Sequence, residues 1–416
     1  MKNKLFYLLP FMAGLNGIAF KFANLNIRLD QLLAVILIIF LIFDLLIGRK
    51  KLYIDLPGKF LIMFFIVSFF SSYVYSPDRN YSIIQTINIL SAASVYFIIP
   101  NSITDIKIET KFLKSFVYAG IIMCVMGVAL FIIAHLGITD YGVNLIDDPT
   151  TTPYGVYSTM LEPNIYGSYS VIYFIFALNM LLIKDFSTIK KRILVYLLFV
   201  SAAGVLLSFT RGAWLAALIS IFMSLIILKK RHRKKKLIKQ FATYLSFAGI
   251  VIVAIVGFAI SNYFLLYKIN NFLNASSGTG YGRIEIWTLA IGNIPNHLLL
   301  GNGTYSFAAI YATRFYDPRH NAWIGNFLVT ILHDTGIIGI IFFFGFLIIL
   351  LGKGILKRNE NEANANNIEL FPFSLSMSSI AMLIAFFFTT GFSFTYAWIP
   401  FGLISYFNNK RKLNYT

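Results

Sequence analysis

The sequence predicts an all-α polytopic membrane protein, and three observations carry that expectation. Hydrophobic residues make up 58% of the 416-residue chain and charged residues only 12%, too little polar surface to cover a soluble core. The mean hydropathy is +0.75, and apolar stretches of spanning length, about 17 to 25 residues, recur along the whole chain. The basic residues fall between those stretches in a one-sided pattern. In a soluble protein a net charge of +18 would suit nucleic acid, but in a membrane chain an excess of Lys and Arg is what orientation at the inner leaflet produces. No nucleic-acid partner is therefore expected. The single cysteine, Cys124, excludes an intramolecular disulfide and a multi-cysteine metal cluster.

Taken in order, the spans fall near 5–20, 30–48, 59–75, 81–99, 112–136, 164–183, 193–209, 213–228, 241–266, 336–356, 371–391 and 393–408, about twelve in all. Lys2 and Lys4 precede the first, no small-x-small cleavage site follows it, and a second apolar run comes next, so it reads as a retained span. With both termini cytoplasmic, 27 of the 35 basic residues fall on inner segments and eight on outer ones. The type of cation is more telling than the number: six of those 27 are Arg, against six of the outer eight. Lysine suffices to orient helices, whereas arginine grips phosphate or carboxylate with a planar fork. The outer face reads as built to hold an anion.

Two outer segments, 137–163 and 267–335, are too long to be turns. The chain thus divides into an N-terminal bundle (1–266), an extracytoplasmic loop with amphipathic helices (267–335) and C-terminal spans with a cytoplasmic tail (336–416). The basic run 229–239 reads as an inner-leaflet anchor.

Within the loop, "DPRHNAWIGNFLVTILHDTGIIG" (317–339) sets Arg319, His320 and Asn321 ahead of a greasy stretch. Trp323, Ile324, Phe327, Leu328, Ile331 and Leu332 recur at the spacing of one helix face, which predicts a helix N-capped by Asn321 and ended by Gly336. The positive helix start and Arg319 both favour a neutral His320, which would suit a general base on a hydroxyl or simply close the loop by hydrogen bonding. Arg211, in "LLSFTRGAWLAAL", either snorkels to the interface or binds a ligand. Arg283 follows a glycine-rich turn in "GYGRIEIW" and precedes Trp287. Glu162, in "MLEPNIYGSY", either pairs with an arginine or caps a helix. The five histidines show no zinc spacing, there is no Walker loop, and Asp147 and Asp148 read as a loop tip or as paired acids.

Together "LLSFTRGAWLAAL", "GRIEIWTLAIGNIPNHLLLGNGTYSF" and "HNAWIGNFLVTILHDTGIIG" stand in the order found in the O-antigen ligase and polymerase superfamily, and "EPNIYGSYS" resembles its upstream D-P-N stretch. The resemblance covers mainly residues 160–340. It implies a C-type (GT-C) glycosyltransferase architecture in the bacterial cytoplasmic membrane, working on the outer face without cofactor or metal. It further implies an undecaprenyl-diphosphate-linked glycan as donor and another as acceptor, in contact with membrane lipid, with a flippase and a chain-length regulator as pathway partners. By position, Arg211 and Arg283 would hold the diphosphate and His320 would activate or position the acceptor hydroxyl, with Arg314 and Arg319 as extra contacts. One departure stands out: the ligases place about nine residues between His-Asn and the Gly-x-x-Gly turn, whereas fourteen separate Asn321 from Gly336. The expected activity is polymerisation of lipid-linked repeat units, with ligation onto a lipid core or protein as the neighbouring alternative and transport as the alternative of another class.

Overall fold

The computed structural model describes residues 2–22, 25–49, 51–145, 153–183, 188–231, 279–315, 323–356 and 370–413. The expected ninth span (241–266), the acids Asp147 and Asp148, and the segment carrying Arg319, His320 and Asn321 lie outside them. The first eight helices are α1 (Lys2–Gly14), α2 (Leu29–Leu46), α3 (Leu56–Val74), α4 (Arg79–Ser102), α5 (Ile106–His135), α6 (Pro163–Ile183), α7 (Lys191–Leu207) and α8 (Arg211–Arg231). Five more follow: α9 (Thr279–Asn293), α10 (Phe307–Phe315), α11 (Phe327–Leu356), α12 (Leu370–Phe386) and α13 (Thr395–Leu413). Two antiparallel hairpins, β1 (Ala19–Phe22) with β2 (Leu25–Arg28) and β3 (Val143–Leu145) with β4 (Pro153–Val156), are the described sheet structure.

Among the described residues seven helices are long and apolar enough to cross a membrane: α2 to α6, α8 and α11. The first expected span needs correction. Helix α1 has 13 residues, about 20 Å, which falls short of the roughly 30 Å hydrocarbon core. Asn16 and Gly17 end it: the Asn16 side-chain amide donates to the Ala13 carbonyl at 3.2 Å and the Gly17 N–H to Thr159 O at 2.9 Å. The chain then turns into the β1–β2 hairpin rather than continuing apolar to residue 20.

Helix α6 is the axis of the bundle, wholly buried along its apolar length, with α7, α8 and α12 packed on it. Its sequence explains why: Gly167, Ser168 and Ser170 let neighbours approach, while Tyr166, Tyr169 and Tyr173 fill the space between. The buried Ser168 hydroxyl loses little, because it donates to the Ile165 carbonyl at 2.9 Å and also meets the Tyr396 hydroxyl at 2.7 Å.

The two ends of the bundle differ. At one end Lys2 pairs with Asp44, Lys410 with Glu109, and the buried Asp55 ties three helices together. Asp55 caps α3 through the Gly58 N–H (2.8 Å) and accepts from Tyr96 (2.6 Å), Ser405 (2.7 Å) and Asn409 (3.3 Å). Asp55→Ala removes the cap and strands buried donors, so we expect a loss of about 2–4 kcal/mol, read as a lower melting temperature in detergent. At the other end stand the start of α6, the turn between α7 and α8 and the turn between α12 and α13, joined by a 3.0 Å bond from Thr389 to Glu162.

Helix α11 is two helices joined at Gly336, whose φ of 64° and ψ of −165° are not helical. The break frees backbone groups that residues 298–303 take up. Asn302 and Gly303 donate to the carbonyls of His333 and Asp334, at 2.8 and 3.0 Å, and Ile337 and Ile338 donate back to Leu298 and Leu299 at 3.0 and 3.1 Å. Ser71 adds a 2.8 Å bond to Asp334 O. The Asp334 carboxylate meets His333 Nδ1 at 2.8 Å and the Tyr305 N–H at 2.9 Å. Gly336 thus ends the first helix as the sequence predicts. The start does not match: residues 323–326 are not helical, and the cap is Asn326, whose Oδ1 accepts from the Leu328 and Val329 N–H groups at 3.0 and 3.2 Å. Gly325 (φ 64°) breaks the apparent periodicity, so Asn321 is not the N-cap.

Candidate functional site

Four of the site residues expected from sequence converge on one cleft at the end of the bundle where α6 and α8 begin. Glu162, Arg211, Arg283 and Trp287 line it, with Asn144, Asn164, Ser208, Thr210 and Phe388. The cleft measures about 470 Å³, within the range of small-molecule sites.

Each group is placed by a local feature. Arg211 is the first residue of α8 and is exposed. The turn before it is tight: Phe209 sits at a φ of 50°, and Ser208 Oγ and Thr210 Oγ1 hydrogen-bond at 3.0 Å. A residue without glycine's freedom held there stores strain, a cost met where the surroundings fix the chain. Glu162 stands just ahead of Pro163 at the start of α6; its carbonyl accepts from the Ile165 and Tyr166 N–H groups, both at 3.1 Å. Its carboxylate is turned to Thr389, a buried hydroxyl from the α12–α13 turn. Two helix N-termini therefore open on the cleft, each carrying partial positive charge. Arg283 needs a correction to its setting: α9 begins at Thr279, so Arg283 lies one turn inside a helix rather than after a glycine turn. On the same helix the Trp287 indole donates to the Ile324 carbonyl at 2.8 Å, which fixes the ring and ties α9 to the segment before α11.

The charges are coupled. Burial pushes the Glu162 carboxyl above the usual carboxylate range, opposed by the Thr389 hydrogen bond, the Arg283 guanidinium and Asn164. Burial lowers the Arg283 pKa; Glu162 opposes that, while repulsion from Arg211 adds to it. Two like charges felt across a partly desolvated space are a place where an anion is stabilised.

The other residues are not brought to this cleft by the described structure. Arg314 lies in α10. Arg319, His320 and Asn321 fall outside the described residues. Sequence reasoning missed Thr389, Phe388 and Asn144: Thr389 sits in an otherwise apolar run 227 positions from the carboxylate it binds, and only the tertiary fold reveals it. A second, mostly apolar pocket of about 50 Å³ lies between α3, α4, α11 and α13, lined by Phe64, Phe327, Phe343 and Trp398 and, among the described residues, by no Lys, Arg or His. Its walls offer no cation for an anion.

No curated protein matches the chain. The family model described as O-Antigen ligase matches residues 196–344, a stretch that contains Arg211, Arg283, Trp287 and the break in α11 at Gly336. That match covers a little over a third of the 416 residues. With this match, residues 196–344, which carry both cleft arginines, are similar to the O-antigen ligase family of glycan-transferring membrane enzymes.

Proposed function

We propose that this protein joins undecaprenyl-diphosphate-linked repeat units into a surface polysaccharide at the outer face of the bacterial cytoplasmic membrane. The observation that carries the reading is the pairing of Arg211 and Arg283 in one cleft beside two helix N-termini. Such a site suits a diphosphate that gains charge as its bond to sugar breaks. Trp287, its ring fixed by Ile324, suits the apolar face of a sugar. An acceptor hydroxyl would attack the anomeric carbon in line, invert it and release the lipid diphosphate, without metal or cofactor.

By resemblance His320 positions or activates that hydroxyl. Ile324, whose carbonyl meets Trp287, follows it by four residues, so at most about 14 Å of chain separates their backbones. The nine-residue spacing expected of the ligases is found here between Asn326 and Gly336, but the residue before Asn326 is Gly325, so the histidine stands five residues earlier. Arg314, Arg319 and Asn321 would then supply further glycan contacts.

Ligation is the second reading, favoured by the matched family's description. The purified protein would be mixed with lipid-linked oligosaccharide taken from a host strain lacking its gene, with EDTA present and no nucleotide. A ladder of lengthening lipid-linked glycan is expected, lost by about 100-fold or more in His320→Ala. Transfer of one block to a lipid core or protein would mean ligation, and movement of intact substrate across vesicles with no new bond would mean transport.

A further inference from the structure

Glu162 is the acidic side chain that lines the cleft among the described residues, and holding a diphosphate gives it no task. An acid beside a phosphate site weakens anion binding by like-charge repulsion. Its placement is nonetheless well determined. Its backbone starts α6, and Thr389 Oγ1, 2% exposed, donates to Oε1 at 3.0 Å. The carboxylate shares the cleft with Arg283 and Arg211, and Asn164 and the Tyr396 phenol complete the groups that act on it or feel its charge.

We propose that Glu162 is the proton acceptor for the attacking hydroxyl, an inference that rests on glycan transfer taking place at this cleft. The acceptor oxygen forms a bond to the anomeric carbon of the donor. The bond from that carbon to the phosphate oxygen breaks, its electron pair going to the diphosphate. The hydroxyl proton passes to the Glu162 carboxylate and leaves to water after the product departs. His320 then orients the hydroxyl.

The arrangement makes the base grow stronger as it is needed. In the empty cleft Arg283 favours the ionised carboxylate, and burial opposes it. A bound diphosphate offsets the arginines, and the charge that builds on it during bond breaking acts on Glu162 in the same direction. Diphosphate binding should therefore draw a proton onto Glu162 below neutral pH, and the transfer step should fail as pH falls, because a protonated carboxyl accepts nothing.

The test uses Glu162→Gln, which keeps the shape, and Glu162→Asp, which keeps the acid. Rates with the same extracted lipid-linked oligosaccharide would be followed from pH 5 to 9. Separately, undecaprenyl diphosphate would be titrated calorimetrically in two buffers of different ionisation enthalpy. The glutamine variant is expected to lose about 100-fold or more in kcat, to keep its donor KM within about threefold, and to lose both the acid limb of the profile and the proton uptake. The aspartate variant should recover part of the rate. If the glutamine variant transfers within about threefold of wild type, keeps the acid limb, or loses only donor affinity, Glu162 is not the base and the arginine reading stands. If wild-type protein binds undecaprenyl diphosphate yet transfers nothing, the proposed function itself falls and this inference with it. Melting temperatures check folding, and should Glu162→Gln not fold, the size and pH shift of the Glu162→Asp loss decide.

Discussion

Arg211→Lys and Arg283→Lys should each cost about 10-fold or more in glycan transfer, and the alanine variants about 100- to 1000-fold. The lysine variants are the sharper test. Lysine keeps the charge but replaces a planar fork with a point donor, so a site that merely needs positive potential would be nearly indifferent to it. The two positions should also differ. Arg211 is exposed at the head of α8, whereas Arg283 is half-buried and feels both Glu162 and Arg211. Removing Arg283 leaves the half-buried Glu162 without its opposing charge, which pushes its carboxyl further up and moves the acid limb of the pH profile to higher pH. Removing Arg211 should lower the rate with little movement of that limb. Measuring kcat/KM against pH for both variants, beside binding of undecaprenyl diphosphate, distinguishes the two. Equal pH profiles would mean that Glu162 and Arg283 do not act on each other in the working enzyme.

The second large effect belongs to Gly336. Its φ of 64° with ψ of −165° is a region that other residues scarcely enter, and a Cβ there would lie 2.5 Å from the Leu299 carbonyl. Gly336→Ala is expected to destabilise by about 3 kcal/mol or more and to yield little monodisperse protein on size exclusion. Gly301→Ala should behave alike, since it has a φ of 77° and its added methyl would meet the backbone of Asp334 and Thr335. Gly352, later in α11, is the control: a methyl added there would meet nothing within 4 Å, and Gly352→Ala should be neutral or add up to about 1 kcal/mol.

Hydropathy made the long helices legible, because a chain in lipid must satisfy its backbone within each segment. The arginines were legible for the converse reason: a cation next to an apolar span is costly and needs a purpose. What stayed hidden depends on single residues that override a pattern. Trp323 and Ile324 fit the apolar face of a helix that Gly325 prevents from starting before Phe327. Asn16 and Gly17 likewise stop α1 inside an apolar run. The partner of Glu162 was not readable at all, because no local rule connects residue 162 to residue 389.

The exchange of backbone bonds across the break in α11 bears on how the chain is made. Asn302 and His333 are only 31 positions apart, so the backbone bonds of the clasp close within one short length of polypeptide, on a surface that Ser71 of the earlier α3 completes. Beyond Gly336 the helix runs to Leu356, twenty residues and about 30 Å, enough to cross the bilayer alone. During synthesis the second half can therefore be delivered as an ordinary span while the first half folds back onto a loop already translated. The broken helix is thus two units of assembly, and every backbone group that joins them is translated before the last two helices, α12 and α13.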